Sequence, residues 1–202
     1  MKLEEVLPFV LPFARSCPDQ VALHHIRLAA VEFCARTLVW NEELDPVQTD
    51  SAVKVYTLNL PEHSNLAKLR RVWIGEDDDY RIRTSRPNRQ GRSIYAREVW
   101  TINRQDIEIT PAPPHQRDLR VFAALKPDPV TAEEISDDLG QYITELAEGA
   151  LRGILMLPNE WKDMDAAAIH GGLFNNRIGT VAAQVSRGFG DAKSQPVGRR
   201  FY

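Results

Sequence analysis

Two long stretches with a helical repeat of apolar residues stand at opposite ends of the chain, Pro18–Trp40 and Ala132–Leu157, and neither has a charge inside its apolar stripe. An amphipathic helix is stable in water only when its stripe is covered. The two ends of the chain therefore have to meet in one helical body, and the strand-patterned, arginine-dotted middle has to leave and re-enter that body as an insert.

In the first stretch Ala22, Ile26, Ala29, Phe33, Thr37 and Trp40 recur at steps of three and four, while Arg27 and Glu32 fall elsewhere on the wheel. Ser16 or Cys17 is placed to cap it, Pro18 suits the first helical position and Asp19 the positive end of the dipole. In the second, Ile135, Leu139, Tyr142, Ile143, Leu146, Ala150, Ile154 and Leu157 share a face behind the acidic turns of Glu133, Glu134, Asp137 and Asp138. Pro8 and Pro12 limit the opening segment, Leu3–Ala14, to a helical turn or two. Asp163–Ser186 is helix-compatible despite Gly171, Gly172 and Gly179.

Between these parts the period shortens. Residues 52–60, Leu66–Ile74 and Leu119–Leu125 are β-branched and apolar runs bounded by Pro61, Gly75 and the Pro111–Pro114 segment; Ile82, Ile94, Tyr95, Val99, Trp100, Ile102, Ile107 and Ile109 mark further short strands. Arg86–Gly91 has the composition of an exposed loop. Five or six short strands suggest a small sandwich or barrel. The expected class is α+β: a helical body of two to four helices from both chain ends (1–46 and 128–186), an inserted small antiparallel β domain (47–127) and an extended, flexible C-terminal arm (187–202).

An apolar fraction of 43%, a charged fraction of 26% and a net charge of −3 are those of a soluble globular protein. They exclude a surface that is basic all over, so any nucleic-acid contact is local. Two cysteines, Cys17 and Cys34, make no disulfide framework. Glu4 and Glu5 stand where a secretory signal is basic, and no run of about 18 uncharged apolar residues offers a membrane span. The expectation is folding in a reducing cytoplasm with no membrane contact.

No motif assembles a catalytic, metal or cofactor site, so none of the three is expected. His24 and His25 project about 100° apart on a helix, and His63, His115 and His170 lack ligand spacing. Asp77, Asp78 and Asp79 lack the alternation of a calcium loop. An enzyme using His170 with Asp163 or Asp165 requires groups that converge only in space. The strongest charge feature is the series Arg81, Arg83, Arg86, Arg89, Arg92 and Arg97, whose guanidinium groups suit phosphate or carboxylate. Nucleic-acid binding through this Arg81–Arg97 hairpin is one reading. Docking on the acidic residues Glu133, Glu134, Asp137 and Asp138 of another copy is a second, and a solvated face is a third; charge alone leaves them open.

Three further features belong together: the run from Ala29 to Trp40, the strand-rich insert, and Gly149–Pro158 followed by Trp161, a trailing helix and a basic tail. In this order they resemble the head-to-tail connector, or adaptor, proteins of tailed bacteriophages, including the tail tubular protein A type. The likeness covers most of the chain and implies a non-enzymatic virion protein of the head–tail junction, assembled in the host cytoplasm. It further implies a homo-oligomeric ring, commonly of twelve copies, beneath the portal and above a tail or nozzle protein, with DNA passing through the channel without sequence-specific binding. The arginines and acidic residues above would then form the subunit interface. The C-terminal arm, with Arg187, Lys193, Arg199, Arg200, Phe201 and Tyr202, would reach the portal, and its deletion is expected to leave a folded subunit that cannot join portal rings.

Overall fold

In the computed structural model, which describes residues 1–75, 78–83 and 97–188, both chain ends contribute to one helical body. A 3-10 turn, Leu3–Val6, leads into the single-turn helix α1 (Leu7–Val10), followed by α2 (Asp19–Thr37). After the strands, a second 3-10 turn, Asp137–Tyr142, leads into α3 (Ile143–Ile154) and then α4 (Met164–Arg187). The class is α+β.

Helix α2 buries Ala22, Ile26, Ala29, Phe33 and Thr37, the face its spacing gave. Its ends differ from expectation. The cap is Pro18 itself, extended at φ −62 and ψ 138, and its carbonyl accepts from the amides of Val21 and Ala22 at 2.9 and 3.1 Å. At the far end Leu38 adopts a left-handed φ of 55, so the helix stops at Thr37. Asn41 Nδ2 donates to the Leu38 and Val39 carbonyls at 2.7 and 3.2 Å, which satisfies groups the helix leaves free. Trp40 is still buried, but on strand-side backbone: its carbonyl accepts from Leu125 N at 2.8 Å.

The second stretch is helical only in part. Residues 133–135 pair with the first residues of the chain, with Leu3 N donating to Glu133 O at 3.0 Å and Ile135 N to Met1 O at 2.9 Å. Those backbone groups are therefore engaged in an extended bridge, and the α-helix begins only at Ile143.

Among the described residues nine strands form two sheets, more than the five or six anticipated because several are only two or three residues long. In the five-stranded sheet β1 (Asn41–Glu43) and β2 (Val47–Gln48) both pair with β9 (Asp118–Pro127), which pairs with β4 (Ser64–Ile74) and through it β5 (Asp78–Asp79). The four-stranded sheet has the order β3 (Val55–Thr57), β8 (Asp106–Thr110), β7 (Glu98–Thr101), β6 (Arg81–Ile82), antiparallel except for β6 with β7. Residues 52–60 yield only three strand residues, since Ala52 has φ 68 and the Tyr56 hydroxyl closes a turn by accepting from Asp50 N. The expected strand residues Ile94 and Tyr95 lie outside the described residues.

In β4 the buried residues are Ser64, Asn65, Leu66, Leu69, Val72 and Ile74, and the run Leu66, Leu69, Val72 makes a step of three foreign to a flat strand. Register shifts against β9 between Leu66 and Lys68 and between Leu69 and Arg71 explain it. Each bulge adds one residue and resets the phase, keeping all three on the core side. Helix α2 packs on β9, and apolar residues of both sheets and all four helices join one contiguous core.

Candidate functional site

The arginine series does not stand free where it is described. Arg81, exposed on β6, is paired in register with Glu98 of β7. Arg83 points its guanidinium at the Glu98 carboxylate, with Nε 2.8 Å from Oε1 and Nη2 on the same oxygen. Glu98 is buried at 7% exposure, so this pair neutralises a carboxylate that water cannot reach freely. Arg71, on neighbouring β4, grips Asp79 with two bonds of 3.0 and 3.1 Å and lies 5.0 Å from the Trp73 ring centroid. The Asp79 carboxylate thus has an arginine partner in the place of a cation. Arg86, Arg89 and Arg92 lie outside the described residues. Glu98 was missed from the sequence; a lone carboxylate directly before Val99-Trp100 in a buried strand was the available signal.

The acidic residues Glu133, Glu134, Asp137 and Asp138 are all exposed. They lie beside the N-terminal turn and α2, whereas Arg81 and Arg83 sit on the four-stranded sheet. Glu133 and Glu134 line a pocket with Lys2, Glu4 and Arg27, and Asp137 takes the N-terminal amine. Arg27 Nε donates to Ala132 O at 2.6 Å, anchoring this corner to α2.

In the helical body a charged cluster joins three helices. Glu32 of α2 accepts from Arg152 Nη2 of α3 at 2.6 Å and from Arg36 Nη1 at 2.8 Å, and Arg36 also donates to Asn175 Oδ1 of α4 at 2.7 Å. The hydrogen bond from Arg152 holds the Glu32 carboxyl below the usual carboxylate range. Arg152 also lies 5.3 Å from the Phe174 ring.

The histidines do not converge. His24 and His25 meet edge to face at 5.5 Å, His24 outward and His25 half-buried against Gly153, where burial first and the His24 charge second lower its pKa. His170 Nδ1 contacts the Glu148 carboxylate of α3, and its ring meets Phe13 at 5.6 Å. Asp163 caps α4, accepting from Ala166 N at 2.9 Å, so it is not the partner of His170. Phe13, Leu155, Glu160, Trp161, Lys162 and Asp163 line the groove beside this histidine. Among the described residues no group of three or more potential ligands surrounds a metal position, and no helix is long and apolar enough to cross a membrane.

Of the C-terminal arm, Arg187 is the last residue of α4 and is exposed. Lys193, Arg199, Arg200, Phe201 and Tyr202 lie outside the described residues.

Among the described residues these charged side chains tie elements of the chain to one another. A family model described as SU10 adaptor protein matches residues 4–200, nearly the full length. No curated protein matches the chain at a significant level.

Proposed function

Because the chain belongs to the SU10 adaptor protein family, a family of phage head-to-tail adaptors, we propose that it assembles as a ring between portal and tail through which DNA passes. Family membership makes it a structural adaptor of a bacteriophage, a component of the virion that associates with other head and tail proteins. The finer reading is twelve copies, a portal above, a tail or nozzle protein below, and assembly in the host cytoplasm. The protein acts by being in place, with no chemical turnover.

The observation that carries this reading is the extent of the family match, which takes in the helical body, both sheets and most of the arm. The arm supports the portal contact by its composition: Lys193, Arg199 and Arg200 supply charge for carboxylates, and Phe201 and Tyr202 supply anchors. In this reading Arg81, Arg83, Arg86, Arg89 and Arg92 of one copy meet Glu133, Glu134, Asp137 and Asp138 of the next as the subunit interface, with Arg83 also engaged by Glu98 within its own chain.

Electron microscopy of the purified chain, alone and mixed with portal protein, tests the proposal. Closed annuli seated on portal rings are the expected result. A chain that binds no portal and closes no annulus overturns it. Removing residues 188–202, which leaves α4 whole, is expected to abolish portal binding in a pull-down while the melting transition persists. Retained portal binding overturns the role given to the arm.

A further inference from the structure

Around the start of α4 the helical body leaves large apolar side chains in water. Phe13 is 62% exposed, and its ring meets His170 edge to face at 5.6 Å. Met164 and Ile169 are exposed as well, and so is Leu173, one turn beyond His170. The groove beside this histidine, about 340 Å³ in volume, has Phe13, Leu155, Trp161 and Ala166 in its walls. Trp161 Nε1 is buried, yet it has no acceptor among the described residues. Buried donors are nearly always paired, and with no hydrogen bond fixing the indole, its N–H is available to an acceptor that enters the groove.

The rim is acidic. Glu160, Asp163 and Asp165 are exposed there, against Lys162 of opposite sign. Asp163 is engaged as the cap of α4, accepting from Ala166 N. Glu160 and Asp165 take part in no ion pair among the described residues.

We propose that this groove is the seat of the chain's own C-terminal arm, with Phe201 and Tyr202 against Phe13, Leu155 and Trp161, and with Arg199 and Arg200 at Glu160 and Asp165. Residue chemistry selects this occupant, because an acidic rim around an aromatic floor is complementary to the sequence Arg199-Arg200-Phe201-Tyr202. Reach permits it. Helix α4 has 24 residues and is therefore about 36 Å long. From Gly188 the eleven residues to Arg199 span about 36 Å when extended, and those to Tyr202 about 46 Å, so an arm that doubles back along the helix arrives at its start. Gly188 ends α4 at φ 75 and ψ 152, a conformation open to glycine, and the helical direction is broken there. The tether favours the chain's own arm over a free partner, since a linked segment is presented at millimolar effective concentration and even a weak fit is populated.

Only the consequence rests on the adaptor reading. The residues assigned there to the portal are held first by their own subunit, an arm cannot occupy both places, and a portal that takes the arm uncovers the groove.

Disulfide trapping in the full chain tests this. Lys162→Cys with Tyr202→Cys puts one thiol in the groove and one in the arm, while Cys17 and Cys34 are buried. A reference chain carries Thr180→Cys with Tyr202→Cys. Thr180 is exposed and lies nearer to Gly188 along α4, so an arm that docks nowhere meets it more often than it meets residue 162. In a glutathione buffer the Lys162 pair is expected to link within the chain about tenfold more favourably than the Thr180 pair, with no change on dilution. A Thr180 link as favourable as the Lys162 link overturns the docking, and links between chains in place of links within them overturn the choice of occupant. Glu160→Arg with Asp165→Arg, or Arg199→Glu with Arg200→Glu, is expected to lower the Lys162 link about tenfold, and all four together to restore it. Phe13→Ser is expected to lower it with the melting transition kept. A link that none of these changes moves overturns the proposal. Portal protein added to the Lys162 pair is expected to suppress the link. Portal rings that bind a chain in which the link never forms overturn the groove contact alone, whereas a link that forms in a chain no portal binds supports the contact and counts against the adaptor reading.

Discussion

Glu32 and Arg152, 120 residues apart in sequence, meet at 2.6 Å across the junction of α2 and α3. Arg36 shares the same carboxylate and reaches Asn175, so one acidic side chain holds three helices in register. The helices come from both ends of the chain, and this cluster locks them together after the β excursion.

Replacing Glu32 with Gln keeps the shape and removes the charge. Both arginines then lose their ionic partner at a site that is only partly exposed, and a loss of about 1–2 kcal/mol in unfolding free energy is expected. Urea denaturation of the variant measures it. An unchanged midpoint would assign the cluster to the solvated surface.

Gly149→Ala is expected to destabilise the fold by roughly 1–3 kcal/mol, because the added methyl meets both Ala29 and Phe174 at 2.8 Å and helices α2 and α3 must part to admit it. Thermal unfolding of Gly149→Ala beside Gly172→Ala separates steric cost from helix propensity, with shifts of opposite sign expected. Equal shifts would mean that the close approach at Gly149 is unimportant.

Phe33 is fully buried, with its ring 5.1 Å from Tyr142 and 6.3 Å from Phe174. Phe33→Ala empties a position where α2, α4 and the turn before α3 converge. The expected loss is about 3–5 kcal/mol, read from chemical denaturation. Phe33→Leu, which keeps most of the volume, is expected to retain more than half of that stability.

Much of this was legible in the residues, and the rest failed for identifiable reasons. The buried face of α2 followed from spacing alone, because burial of Ile26 and Phe33 needs only a 3.6 period. Its end did not, since Leu38 adopts a left-handed conformation that Asn41 and the strand beyond it support. The stripe from Ile135 to Tyr142 is buried as its period required, yet Met1 pairs with the backbone of Ile135, a contact over 134 residues that no local pattern encodes. In β4 the bulges made Leu66, Leu69 and Val72 mimic a helical step. Among the site residues, the arginine series was conspicuous in sequence while the carboxylate that engages Arg83 was not. Partners of charged side chains are set by tertiary placement, and Glu98 reaches Arg83 only because β7 pairs with β6 in the sheet.

Acid should weaken the helical body in two steps. His25 packs against Gly153, and burial together with the His24 charge lowers its pKa below the ordinary histidine value. The unfolded chain therefore binds more protons than the folded one between the two values, so stability falls as pH drops from about 6.5 through the lowered folded pKa. The second step lies lower. Glu32, held down chiefly by Arg152, and Asp128, held down by the amides of Thr131 and Val130 and by Asn65, contribute stability above the ordinary carboxylate range and lose it as pH falls through their depressed folded values. Melting temperatures measured from pH 7.5 to 3 are expected to show both declines, and His25→Gln to flatten only the first. A variant whose melting temperature falls between pH 7 and 5 as steeply as that of the unaltered chain would place the first proton elsewhere. Loss of the lower step alone in Glu32→Gln would identify that carboxylate as its main source.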